Sequence, residues 1–77
     1  MRVSLGTVDG IEWELNKENG CITPRKSGDA NVISWTKFWI GNPPTLPTQL
    51  VLFVELCQRG VALGHLRRVD VFAVVYN

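Results

Sequence analysis

The sequence predicts a mostly β protein: a small antiparallel, partly open barrel or two-layer sandwich that starts with a β-hairpin. Three observations carry that expectation. Asp9-Gly10 stands between VSLGTV and IEWEL, and Asp-Gly favours a two-residue type I′ turn because both central residues need positive φ. The arm that follows alternates, with Ile11, Trp13 and Leu15 on one side and Glu12, Glu14 and Asn16 on the other, as a strand with one wet face does. VISWTKFWI and RVDVFAVVYN are dense in β-branched and aromatic residues, which fit a pleated, half-buried surface.

Taken in order, the first elements form a β-meander over 1–26, with strands at 3–8, 11–16 and 21–25. NKENG turns the chain between the second and third strands, Gly20 supplying the left-handed position. Pro24 marks the third strand as an edge, or marks its end. A polar loop, KSGDAN, leads into 32–40. That stretch reads two ways. As a helix, Val32, Trp35 and Trp39 share a face and Gly41 serves as the stop; as a strand, Ile33, Trp35 and Trp39 share a face with Lys37 as the odd member. Its residue types favour the strand.

GNPPTLP excludes regular structure, since its prolines remove donors and fix φ; it is a Pro-rich connection over 41–47. TQLVLFVELC is an unbroken apolar run that fits a strand at 49–57 buried on both faces. The alternative is α+β, an antiparallel sheet with one helix near 47–58, favoured by Pro47 near a first helical position and by the leucines. In the β reading, QRGVALGH is a turn that leads to a final strand at 67–76, whose residues Val69, Val71, Ala73 and Val75 form an apolar face. The whole is a single domain over 1–77, as 77 residues leave room for one core.

Composition narrows function. Hydrophobic residues make up 45% of the chain, with three Trp and three Phe. That load is large for so small a surface, so part of it is expected to face a partner or a second copy. A net charge of +1 argues against a protein dedicated to neutralising phosphates. The charge is uneven: Asp9, Glu12, Glu14 and Glu18 outweigh Arg2 and Lys17 near the start, while Arg59, Arg67 and Arg68 outweigh Asp70 near the end. MRVSLGTVDG lacks an apolar run of signal-peptide length, and LVLFV falls far short of the ~20 residues a span requires. The expectation is a cytoplasmic protein without membrane contact, its Cys21 and Cys57 free thiols.

Catalytic machinery is not evident. Glu12 and Glu14 stand two apart on one strand face, ~6.5–7 Å by strand rise. That overlaps the spacing of glycosidase carboxylates, but such pairs flank a cleft from different segments. A solvated hairpin face accounts for them. His65 is the only histidine, and Cys21, Cys57 and His65 lack zinc-ligand spacing. No glycine-rich phosphate loop occurs. The chain therefore reads as a non-enzyme with no metal and no cofactor.

What remains is binding. Trp35, Phe38 and Trp39 form an aromatic cluster of the kind enriched at interfaces. Because neighbours on a strand point to opposite faces, either Phe38 or Trp39 must carry its ring outward. The leading expectation is a non-catalytic protein-binding module that contacts its partner through Trp35, Phe38, Trp39, Arg67 and Arg68. It would occlude another protein's surface or pair as a homodimer, in the manner of a phage- or plasmid-encoded inhibitor or accessory factor. One alternative is a DNA-binding regulator using 48–68. There Leu56, Gly60, Val61, Leu66 and Arg67-Arg68 resemble the helix-turn-helix of excisionase-like and MerR-like regulators. Against that resemblance, Gly64 would sit inside the recognition helix at a cost of ~1 kcal/mol, and no Asn or Gln is placed to read adenine. The second alternative is a carbohydrate-binding module built on the tryptophans.

Overall fold

The computed structural model describes residues 1–26 and 37–69. Among these residues four strands and one complete helix follow in order: β1 (Arg2–Val8), β2 (Ile11–Asn16), β3 (Cys21–Pro24), β4 (Phe38–Trp39) and α1 (Pro47–Ala62). The strands pair antiparallel with their sequence neighbours, in the order β1-β2-β3-β4. The described residues thus form an open sheet with one helix packed against it. This is the α+β alternative, and it corrects the expected barrel or sandwich.

The opening hairpin forms as its residues dictate. Asp9 and Gly10 take φ of 54° and 77°, the two left-handed positions of a type I′ turn, and Val8 sits opposite Ile11. The register shifts between Ser4 and Gly6, leaving Leu5 as the extra residue of a bulge. Gly6 has φ 82°, and its amide donates to Ser4 Oγ at 3.1 Å. A Cβ there would lie 2.8 Å from Arg59 Nη1, the tip of a flexible side chain that can swing aside, so the requirement for glycine comes from the positive φ. The bulge turns Leu5 into the core, where it is fully buried.

The largest correction concerns 49–57, expected as a strand and found as helix. Leu52, Phe53, Leu56, Cys57 and Gly60 are buried, a spacing that lays one stripe along a helix. Val51, Glu55 and Gln58 face outward. Pro47 occupies the first turn, where its missing N–H costs nothing. Nor does the chain turn at QRGVALGH as expected: α1 runs through Gly60 and ends at Ala62. Gly64, at φ 81°, terminates it. The His65 amide donates to Gly60 O at 2.8 Å and the Gly64 amide to Val61 O at 3.1 Å, the paired bonds of a Schellman ending. Leu66 then folds back over Gly60, where a Cβ would meet Leu66 Cδ1 at 2.6 Å. The turn that the helix-turn-helix resemblance requires at Gly60 is likewise helix.

Of the strand expected at 32–40, only the part from Lys37 is described, and β4 occupies two of its residues. The chain leaves β4 through a tight turn in which the Asn42 amide donates to Trp39 O at 3.0 Å. The Pro-rich connection then runs without regular structure to α1. Of the strand expected at 67–76 only Arg67, Arg68 and Val69 are described, and Arg68 and Val69 are helical rather than extended; the rest lies outside the described residues.

The core fills the space between sheet and helix. Trp13, Leu15, Ile22 and Phe38 of the sheet meet Phe53, Leu56 and Cys57 of α1. Phe38 sits between Trp13 and Phe53, with ring centroids 6.0 and 5.9 Å away, inside the range of favourable tilted aromatic pairs. The Trp13 indole N–H donates to Val8 O at 3.2 Å, so this deep ring leaves no polar atom orphaned. No helix among the described residues is long and apolar enough to cross a membrane.

Candidate binding surface

With α1 on one face of the sheet, no element among the described residues covers the other face. Strand alternation decides what stands there. Arg2 lies opposite Asn16, Asn16 opposite Cys21, and Cys21 opposite Trp39. These four residues make one row across all four strands. The adjacent row is Ser4, Glu14 and Thr23. Two cross-strand ion pairs brace the face: Arg2 Nη1 to Glu14 Oε1 at 3.4 Å, and Arg25 Nη1 to Glu12 Oε2 at 3.0 Å. The two carboxylates singled out by their spacing each have a guanidinium partner.

A shallow groove of about 210 Å³ crosses this face, lined by Arg2, Glu14, Asn16, Cys21, Lys37 and Trp39 among others. A second, of about 380 Å³, opens on the other side of β4 between Lys37, Trp39, Asn42, Pro43, Pro44 and Leu46. Trp39 and Lys37 belong to both, so the indole stands as a ridge between two concavities. Trp39 is 41% exposed, whereas Phe38 beside it is 3% exposed. Alternation has sorted the two rings to opposite faces, as the strand reading requires.

Of the five residues expected to make the contact, four are described. Trp39 lies on the open face. Phe38 is buried in the core, 3% exposed, between Trp13 and Phe53, and it also stands in the lining of the groove beyond β4. Arg67 and Arg68 are exposed beyond the end of α1, and neither lines the grooves beside Trp39. Trp35 lies outside the described residues. Sequence reasoning missed Arg2, Asn16, Cys21 and Lys37 as neighbours of Trp39. The signal was present in the alternation of each strand, but joining the strands needs the register.

The two cysteines differ in setting. Both are free thiols. Cys21 is half-buried in the groove. Cys57 is 1% exposed, and burial pushes its thiol up to about 12, since an apolar surround disfavours the thiolate. At the turn after β2, the Met1 ammonium bonds Glu18 Oε1 at 2.9 Å and holds that carboxyl below its ordinary range. Among the described residues, no group of three or more His, Cys, Asp or Glu is placed to hold a metal.

No protein-family profile, curated protein or solved structure matches the chain, and a functional reading rests on the geometry of the open face.

Proposed function

We propose that the protein is a small non-catalytic binding module that docks the sheet face opposite α1, with Trp39 at its margin, on the surface of another protein. The observation that carries this reading is the exposure of Trp39 between two grooves, next to a phenylalanine that the same strand buries. A tryptophan left in water forgoes a large burial gain, and such rings recur as anchors at interface centres. Around it the face offers both signs of charge and several amide and hydroxyl groups. That is the mixed polar surround of a non-obligate interface. Action is by occlusion of the partner, as in phage- or plasmid-type inhibitors, and needs no reacting group of its own.

Cys21 gives the test a reporter. Native protein used as bait in a lysate should capture a partner, and occupancy should slow modification of Cys21 by a thiol reagent. Trp39→Ala should lose that partner while keeping the native circular dichroism spectrum. Undiminished capture by a folded Trp39→Ala variant, or an unprotected Cys21 in the captured complex, would end the assignment.

A second reading draws on the same ring. A tryptophan flanked by Asn16, Glu14 and Asn42 also suits a sugar, which stacks its apolar face and hydrogen-bonds its hydroxyls. Saturable indole fluorescence changes on titration with simple sugars, absent in Trp39→Phe, would favour it over a protein partner.

A further inference from the structure

The open face carries a charge pattern of its own, set by the register. In the row Arg2, Asn16, Cys21, Trp39 a cation stands at one edge of the sheet and an indole at the other. At the opposite end of the face, Glu12 on β2 lies beside Arg25, directly after β3. The Arg25 amide donates to Glu12 O at 2.8 Å and its guanidinium to Glu12 Oε2 at 3.0 Å. Between these two rows, Glu14 stands opposite Thr23. Arg2, Glu12, Arg25 and Trp39 are all open enough to solvent to reach a second surface.

Such a face is complementary to itself about one axis. Two sheets stacked face to face keep their strands within about 30° of alignment. A two-fold axis along the strands, midway between β2 and β3, lays β1 over β4 of the copy and β2 over β3. Glu12 then meets Arg25 of the second copy, and Arg25 meets its Glu12. The two ion pairs join in one network of alternating charge. Arg2 meets the Trp39 indole of the copy, a cation over an aromatic face, and this contact also occurs twice. Glu14 meets Thr23, and Asn16 meets Cys21. An axis across the strands fails, because it sets Glu14 against its own copy and lays Arg25 over Cys21.

We propose that in the free protein this face is closed by a second copy of the chain, as a two-fold dimer in which the same patch serves both sides. The proposal rests on the docking reading of the same face and adds its regulation: the copy must leave before another protein docks. Four strands at about 4.8 Å and six residues at about 3.3 Å make a face of roughly 400 Å² per copy. The total, roughly 800 Å², is below the ~1,200–2,000 Å² of stable complexes. The dimer is therefore weak, and a partner can displace it.

The test uses purified protein with no other partner present. Sedimentation equilibrium should show reversible dimerisation between micromolar and millimolar concentration. Glu12→Arg should weaken it at least about tenfold, because two like-charge contacts replace two opposite ones. Adding Arg25→Glu to that variant should restore it, and Trp39→Ala alone should weaken it by a similar factor. With sheets about 10 Å and strands about 4.8 Å apart, the two Cys21 Cα atoms stand roughly 11 Å apart. A short bis-maleimide should therefore link Cys21 to Cys21 in the native dimer. Should Glu12→Arg lose the native circular dichroism spectrum, the native sedimentation and crosslink decide alone. A monomer at millimolar concentration, a double variant no better than Glu12→Arg, or a dimer that leaves Cys21 unlinked would overturn the proposal. None of these outcomes bears on capture of a lysate partner through Trp39, which tests the docking reading by itself.

Discussion

Phe38 and Trp39 are adjacent, both aromatic, and predicted to respond oppositely to truncation. Phe38→Ala removes a ring that is 3% exposed and packed between Trp13 and Phe53. Phenylalanine-to-alanine changes in cores cost ~3–5 kcal/mol. Domains hold roughly 0.05–0.15 kcal/mol per residue, which for 77 residues is on the order of 4–12 kcal/mol in total. Phe38→Ala therefore removes between a quarter and all of the stability, and at ~4–8 °C per kcal/mol for a domain of this size it lowers Tm by at least ~12 °C. Trp39 is 41% exposed, and replacing such a surface side chain usually changes stability by less than about 0.5 kcal/mol, here somewhat more for the part of the ring that is covered. Urea unfolding followed by far-ultraviolet circular dichroism measures both variants against the native chain. Losses of equal size in the two variants, or a greater loss from Trp39→Ala, would refute the assignment of these rings to opposite faces and with it the open-face site.

Other outcomes follow from the same geometry. Gly64 ends α1 at φ 81° with nothing within 4 Å of a built Cβ. Gly64→Ala should therefore cost ~1–2 kcal/mol from backbone conformation alone, and Gly64→D-Ala, made by synthesis, should recover it; a loss that D-Ala shares would point to a clash. With the Cys57 thiol pushed up by burial from its ordinary 9.0 to about 12, the unfolded chain releases this proton before the folded one does. Its contribution is complete below pH 9 and is lost as pH climbs toward 12, by up to about 1.4 kcal/mol per pH unit. Cys57→Ala should flatten that alkaline slope, and an unchanged slope would assign it to other groups. At pH 8 a disulfide reagent should modify Cys21 rapidly and Cys57 only on unfolding; two equally fast thiols would contradict the burial of Cys57.

How much could be read in advance depended on whether a signal was local. The hairpin at Asp9-Gly10 was legible because turn chemistry and alternation both lie within fifteen residues of the start. The helix was undecided for a physical reason. In LVLFV the outward position is held by Val51, 69% exposed, so the polar gap that would betray a 3.6-residue period is filled by an apolar side chain. The β-branched residues then tilt propensity toward a strand, while the need to cover one face of the sheet tips the chain to helix. Gly60 and Gly64 misled in the same way. Both resemble turn residues, yet Gly60 is inside α1 because Leu66 packs over it, and only Gly64 marks an end. Tertiary packing distinguishes them; a local pattern does not.

The candidate surface shows the same division between what one strand fixes and what a sheet assembles. That one of Phe38 and Trp39 must face outward follows from alternation alone, and the choice between them follows from the core: Phe38, opposite Ile22, completes an aromatic layer with Trp13 and Phe53. The side to which Trp39 is then consigned is set by register. Arg2, Asn16 and Cys21 become its neighbours through three successive pairings that span the described sheet. The exposure of Trp39 is thus a consequence of building the core with its neighbour. Such a ring needs no functional reason to be apolar-side-out on a strand, and its being tryptophan is what the proposed docking face would account for. A threonine or lysine there would serve the pleat equally well without leaving a large indole in water. The exposure that carries the proposed docking face gains its weight from the residue type, since an indole has more area to bury than the side chains that would serve the pleat as well.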